Sequence, residues 1–245
     1  MRYLMLSDIH ANWGGLEAVL RDAEGSYDEI CCLGDVVGYG ADPNAVTDWV
    51  RKNIKHVIRG NHDKVCCGIE DPIMFNPVAR QAAEWTLQNL SDENRDYLYN
   101  LKKGPLELAD FVMAHGSVKD EDEYVVDPRE ALAQLPLLQG RLAFFGHTHV
   151  QGGFLLSAND CQVIYNDSDH SNLTLSIAEG DTPLLNPGSV GLSRDLNWMS
   201  AYVFYHSEQC AVEFRRCAYD LDTAQRKIRE AGLPPTLADR LAYGR

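Results

Sequence analysis

Three short apolar runs open this chain at intervals of about 25 residues, the length of a crossover through one helix, and that interval dictates parallel pairing. Tyr3 to Ser7, Glu29 to Leu33 and His56 to Arg59 read as strands. Between the first two, Leu16, Val19, Leu20 and Ala23 fall at helical spacing. Asp42-Pro43 starts a second helix, with Asp at the N-cap and Pro at the first helical position. In open parallel sheets the ligand site lies beyond the carboxyl ends of the strands. Asp8, Asp35 and Asn61 all fall there.

The remainder extends this pattern. Residues 77–101 form an inserted helical hairpin whose second helix is capped by Ser91. Phe111 to Ala114 is a strand with His115-Gly116 as its exit loop, and Pro128 to Leu135 is a short helix. Leu142 to Phe145 is a strand ending at Gly146-His147-Thr148-His149. Gly152 to Leu156, Gln162 to Tyr165, Leu173 to Ile177 and Ala201 to Tyr205 alternate with turns as antiparallel strands do. A helix from Asp220 to Ala231, stopped by Gly232, belongs to a helical tail reaching residue 242. The expectation is a single domain over 1–245, with two sheets face to face, helices outside and the site at one edge.

Lys and Arg number 22 against 36 Asp and Glu, a net charge of -14. A chain this acidic repels polyanions, so general nucleic-acid binding is not expected, although a local positive site could hold a small anion. No apolar run is long enough to span a bilayer and no signal peptide is visible, which points to the cytoplasm. The seven cysteines include the adjacent pairs Cys31-Cys32 and Cys66-Cys67, which is not zinc-ribbon spacing. They read as reduced, mostly buried thiols, with Cys31 and Cys32 facing opposite sides of their strand.

Chemistry concentrates in the loops. Asp8-Ile9-His10 can turn both side chains toward one point just past the first strand. Gly34-Asp35 offers a carboxylate whose two oxygens can bridge two ions. In Gly60-Asn61-His62-Asp63, Asn61 offers a neutral carbonyl oxygen to a metal, while His62 points elsewhere. His147 and His149 could supply one imidazole to each of two ions. With His115, seven side chains of metal-ligand type follow apolar runs, enough for two ions sharing one carboxylate. His56, His170 and His206 read as ordinary core or surface groups.

Together, D-x-H, G-D, G-N-H-D, a lone His-Gly and G-H-T-H resemble the motifs of the calcineurin-like metallophosphoesterase superfamily, over Asp8 to about Arg194. Phe75-Asn76-Pro77, the helices after it and Asn186-Pro187-Gly188-Ser189-Val190-Gly191 are similar to a group of small bacterial phosphoesterases often named diadenosine-tetraphosphatase-like. The resemblance implies a four-layer α/β/β/α sandwich of two mixed sheets flanked by helices. It implies that Asp8, His10 and His149 hold one ion, that Asn61, His115 and His147 hold another, and that Asp35 bridges them. Imidazole-rich ligation suits Mn first, with Fe, Zn, Co or Ni also compatible, over Mg or Ca. Such a pair would lower the pKa of a bridging water, making a hydroxide for in-line attack on a phosphate ester.

His62 is the candidate general acid, protonating the leaving oxygen or stabilising its charge. Arg59 and Arg194 could each hold a phosphate oxygen, or each form a salt bridge, Arg194 with its neighbour Asp195. The protein phosphatases of the superfamily carry Asp-Arg soon after the bridging Asp, where this chain has Gly38-Tyr39. Asp63, Tyr39 or a backbone carbonyl is then left to orient His62. The departure favours phosphodiesters or activated monoesters over phosphoproteins. The acidic run Asp120-Glu121-Asp122-Glu123 reads as a solvated loop, or as a rim that repels long polyanions. Three functions stand: a phosphodiesterase on a small nucleotide-like ester, a phosphomonoesterase or protein phosphatase, and a scaffold that kept the fold without catalysis.

Overall fold

The computed structural model describes residues 1–157, 160–166 and 172–245. The polar loop that contains His170 lies outside them. The first sheet has the order β3-β2-β1-β11-β12-β9. Its strands are β1 (Arg2–Leu6), β2 (Glu29–Cys32), β3 (His56–Val57), β9 (Asn172–Ser176), β11 (Ser200–His206) and β12 (Ala211–Cys217). The second sheet has the order β4-β5-β6-β10-β7-β8. It comprises β4 (Leu106–Glu107), β5 (Val112–Met113), β6 (Ala143–Phe144), β7 (Gly152–Leu156), β8 (Cys161–Tyr165) and β10 (Thr182–Asn186). As the 25-residue interval requires, β1, β2 and β3 are parallel. β11 lies antiparallel on the other edge of β1, and β10 pairs parallel with β6, so both sheets are mixed.

Period-2 alternation sorts the side chains into layers. Tyr3, Met5 and Cys31 point between the sheets and meet Phe111, Met113, Phe144 and Leu185. Leu4, Leu6 and Cys32 point outward, beneath α1 (Trp13–Asp22) and α2 (Pro43–Asn53). The short α3 (Asn61–Cys66) and the hairpin α4 (Pro77–Asn89) and α5 (Asp92–Tyr99) complete that helical layer. Beyond the second sheet, α6 (Pro128–Leu132) and α7 (Leu135–Leu138) bury Ala131 and Leu138 on Val112, Phe145 and Phe154. This is the four-layer sandwich. The seven cysteines are free thiols, and Cys31 and Cys32 lie in opposite cores.

The tail is two helices, α8 (Leu221–Glu230) and α9 (Pro235–Tyr243). Gly232 at φ 73° stops α8 as the sequence predicts, and the prolines after it start α9 as the rest of the helical tail. Leu237 and Leu241 of α9 pack with Tyr39 and Leu192, which brings the C-terminus beside the strand-end loops.

Three details depart from the sequence analysis. Asp42 stands at the N-cap of α2 without capping it, because its carboxylate accepts from Lys227 Nζ at 2.9 Å. Strand β12 (Ala211–Cys217) has no counterpart among the strands expected from the sequence. Its buried Arg216 interrupts the apolar alternation and is paired with Asp195. Asp195 therefore does not pair with its neighbour Arg194. Strand β10 is buried along its whole length and contains Pro183, so it shows no alternation to read.

Candidate metal centre

The loops after β1, β2, β5 and β6 meet at one end of the sandwich, joined by the N-terminus of α3. Asp8 N donates to Gly34 O at 3.0 Å, His10 N to Asp35 O at 2.9 Å, and Gly191 N to Asp8 O at 3.0 Å. This lacing forces side chains into uncommon backbone geometry. Asp8, His10, Asp35, His147 and His149 have φ of 52°, 48°, 51°, 66° and 59°. Left-handed backbone costs a non-glycine residue about 1–3 kcal/mol, and it persists where surrounding structure over-determines it. Here the return is convergence of buried polar groups. Asn61 and His62, read from sequence as loop residues, open helix α3 instead. Their position depends on Gly60, where a Cβ would collide with Asp35 Oδ1. Asp63 accepts from Gly60 N at 2.9 Å and from Val37 N at 3.1 Å.

All seven ligand-type residues gather. Asp8, His10, Asp35 and His149 form one group and Asp35, His115 and His147 another, with the donor atoms in each within 4.8 Å of one another. Asp35 belongs to both. Asn61 Oδ1 lies 3.3 Å from His115 Nε2 and joins the second group. Asp8 Oδ1, Asp35 Oδ2 and His147 Nε2 are buried with no hydrogen-bond partner. Buried polar atoms are rarely left so, and three from different loops aimed into one space are what a cation would satisfy.

The imidazoles are set for that task. His10 Nδ1 faces Val37 O at 3.1 Å, His115 Nδ1 faces Leu33 O at 2.8 Å, and His149 Nδ1 faces Leu192 O at 2.5 Å. A carbonyl oxygen only accepts, so each neutral ring carries its proton on Nδ1 and turns the Nε2 lone pair inward. Burial pushes the His147 ring down to about 3 and holds His10 well below the usual histidine range. Burial alone would raise Asp8 and Asp35. The imidazoles of His149, at Asp8, and His115, at Asp35, outweigh it in their protonated form and hold both carboxyls well below the usual range. His115 goes the other way: burial lowers it, but Asp35 and then Asp8 dominate and raise it.

The model of the calcineurin-like phosphoesterase family matches residues 1–151. The chain belongs to that family. An uncharacterised protein of Methanocaldococcus jannaschii, MJ0912, is 31% identical over 261 residues, 98% of this chain and 97% of that one. A metallophosphoesterase from Sphaerobacter thermophilus is 36% identical, with a TM-score of 0.87 over 100% of this chain and 99% of that one. The hypothetical protein PH1004 from Pyrococcus horikoshii OT3 is 17% identical with a TM-score of 0.80, covering 100% of this chain and 98% of that one, and shares the fold. Membership in the calcineurin-like phosphoesterases implies metal-dependent hydrolysis of phosphate esters.

Around the calcineurin-like centre, His62 lies edge-on to His10, ring centroids 4.9 Å apart, and packs against Tyr39 at 4.4 Å and Phe75 at 4.6 Å. Its backbone N–H donates to Asp35 Oδ1 at 2.8 Å, and burial lowers its ring to about 4. With Asp63 occupied by Gly60 and Val37, aromatic packing fixes the ring. Arg194 is half-buried and its Nη2 reaches the Tyr39 hydroxyl at 3.5 Å. Arg59 is placed otherwise. It donates to both carboxylate oxygens of Glu121, so its guanidinium is committed to a structural pair. Glu121 is itself buried and also meets Lys64 and Lys103, so it departs from the solvated-loop reading that the exposed Asp120, Asp122 and Glu123 keep.

Two neighbours of the phosphoesterase centre escaped the sequence reading. Tyr124 stacks on His147 with ring centroids 3.9 Å apart, yet in sequence it only trails an acidic run. Arg240 reaches Tyr39 from α9, and no sequence signal links the two.

Proposed function

We propose that this phosphoesterase holds two divalent transition-metal ions, Mn foremost, and hydrolyses phosphodiester bonds in small nucleotide-like substrates. The observation that carries the reading is Asp35: one carboxylate common to both donor groups, with an orphaned oxygen between them. Asp8, His10 and His149 would hold one cation, and Asn61, His115 and His147 the other. When bound, such a pair supplies an activated water at neutral pH and neutralises phosphoryl oxygens. The chain supplies the rest. His62 stands beside the centre to donate a proton or hydrogen bond to the leaving oxygen. Arg194 draws in the anionic ester and fixes its orientation.

Two features support diesters over phosphoproteins. Gly38-Tyr39 replaces the Asp-Arg pair, so the phosphate grip is weaker than in the protein phosphatases. The net charge of -14 disfavours long polyanions and leaves small esters. Seven free thiols fit a reducing cytoplasm. Among the described residues no helix is long and apolar enough to cross a membrane.

The test compares hydrolysis of bis-p-nitrophenyl phosphate and p-nitrophenyl phosphate by the Mn-loaded chain. Faster turnover of the diester is expected. A monoester preference would reassign the chain as a phosphomonoesterase. No turnover of either by fully loaded protein would leave the scaffold reading.

A further inference from the structure

In a chain with 36 acidic residues, buried and half-buried arginines readily find carboxylates. Arg59 takes Glu121, Arg141 takes Glu107 and Arg216 takes Asp195. Arg194 and Arg240 are exceptions. Neither has an Asp or Glu carboxylate within ion-pair distance among the described residues, although both are half-buried and both converge on Tyr39. Arg194 comes from the loop after β10 and approaches the Tyr39 hydroxyl. Arg240 comes from α9, its guanidinium carbon 5.9 Å from the centre of the Tyr39 ring.

This juxtaposition is built in. Leu196 N donates to Gly244 O at 2.9 Å, which ties the Arg194 loop to the end of α9. Arg240 Nε donates to the main-chain oxygen of Arg245 at 2.7 Å, which fixes the stem of the side chain. Arg194 also engages Tyr124, and its Nε is buried without a hydrogen-bond partner. Burial, then Arg194 itself, press the Arg240 guanidinium below its ordinary pKa, as expected for two cations sharing a half-dry place with no Asp or Glu paired to them. Holding like charges together in this way is costly unless an anion joins them. The place adjoins the metal centre, since the Tyr39 ring lies 4.7 Å from that of His10 and 4.4 Å from that of His62.

We propose that Arg194 and Arg240, joined through Tyr39, form a second anion seat that binds a phosphate group of the substrate other than the one hydrolysed. Two planar guanidinium forks with the Tyr39 and Tyr124 hydroxyls offer more donors than the two oxygens of a carboxylate can accept. They match the three terminal oxygens of a phosphate. The substrate class is therefore esters or anhydrides that carry two phosphoryl groups close together. The proposal concerns binding alone and rests on the phosphoesterase reading for the identity of the first phosphate.

The experiment is isothermal titration calorimetry on the full-length, Mn-loaded chain in excess Mn. The probes are methylenediphosphonate, with two phosphonate groups, and methylphosphonate, with one. The native chain should prefer methylenediphosphonate by at least about tenfold, and Arg240→Gln should cut that preference by about tenfold, the scale of one charge-assisted contact. Arg240→Lys, which keeps the charge and loses the fork, should fall between. Equal preference in the native chain and in Arg240→Gln overturns the proposal, as does no preference in the native chain. Failure of the native chain to turn over either nitrophenyl ester would sink the phosphoesterase reading while leaving this comparison readable.

Discussion

Arg59 and Glu121 meet in a two-bond pair, Nε to Oε2 at 3.1 Å and Nη2 to Oε1 at 2.9 Å, tying the strand that leads into Asn61 to the loop that follows His115. Truncating a buried pair leaves the partner charge uncompensated. Lys64 and Lys103 remain near Glu121, which limits the loss. Arg59→Ala is expected to destabilise the chain by about 1–3 kcal/mol in urea unfolding. A raised KM at unchanged stability would instead return Arg59 to substrate binding.

The same clamp gives a pH dependence. Burial alone would raise the Glu121 carboxyl, but Arg59 and Lys64 outweigh it and hold it below its ordinary value of 4.5. A depressed carboxylate contributes stability that is fully present above its unfolded pKa and lost as pH falls through the folded one. Native chain should therefore lose urea resistance below about pH 4.5 more steeply than Glu121→Gln. Parallel pH profiles for the two would show that Glu121 is not held as described.

Asp35→Asn removes the one carboxylate shared by both donor groups. A neutral amide bridges poorly, so metal content measured by elemental analysis should fall from two ions toward one or none. Chelation of the native chain should lower its melting temperature, because ions that bind only the folded state stabilise it by mass action. Tight retention of two ions by the variant would show that the bridge is misassigned.

His62→Ala should keep its metals and lose about 10²- to 10⁴-fold in kcat, the usual worth of a positioned proton donor. Its ring touches Tyr39 and Phe75, so the melting temperature is measured alongside. Full activity in a stably folded variant would remove His62 from the chemistry.

Tyr124→Ala removes the ring stacked on His147. The second cation should be held more weakly than the first, seen as a split between two binding steps in a Mn titration. An unchanged titration would make the stack incidental.

The sequence by itself determined the strand-loop grammar of this protein. Period-2 and helical patterning, with a crossover interval, suffice for three parallel strands and their exit loops, because those signals are local. The ligand-type residues were legible for the same reason: Asp8, His10, Asp35, Asn61, His115, His147 and His149 each sit at a strand end that the pattern marks. Tertiary structure alone decided which charges find each other. Arg59 went to Glu121 and Asp195 to Arg216, across 62 and 21 positions. Arg240 came to Tyr39 only because Gly232 folds α9 back over the loops. Ion pairing depends on proximity in space, and proximity between distant segments is set by how layers pack, which no local period encodes.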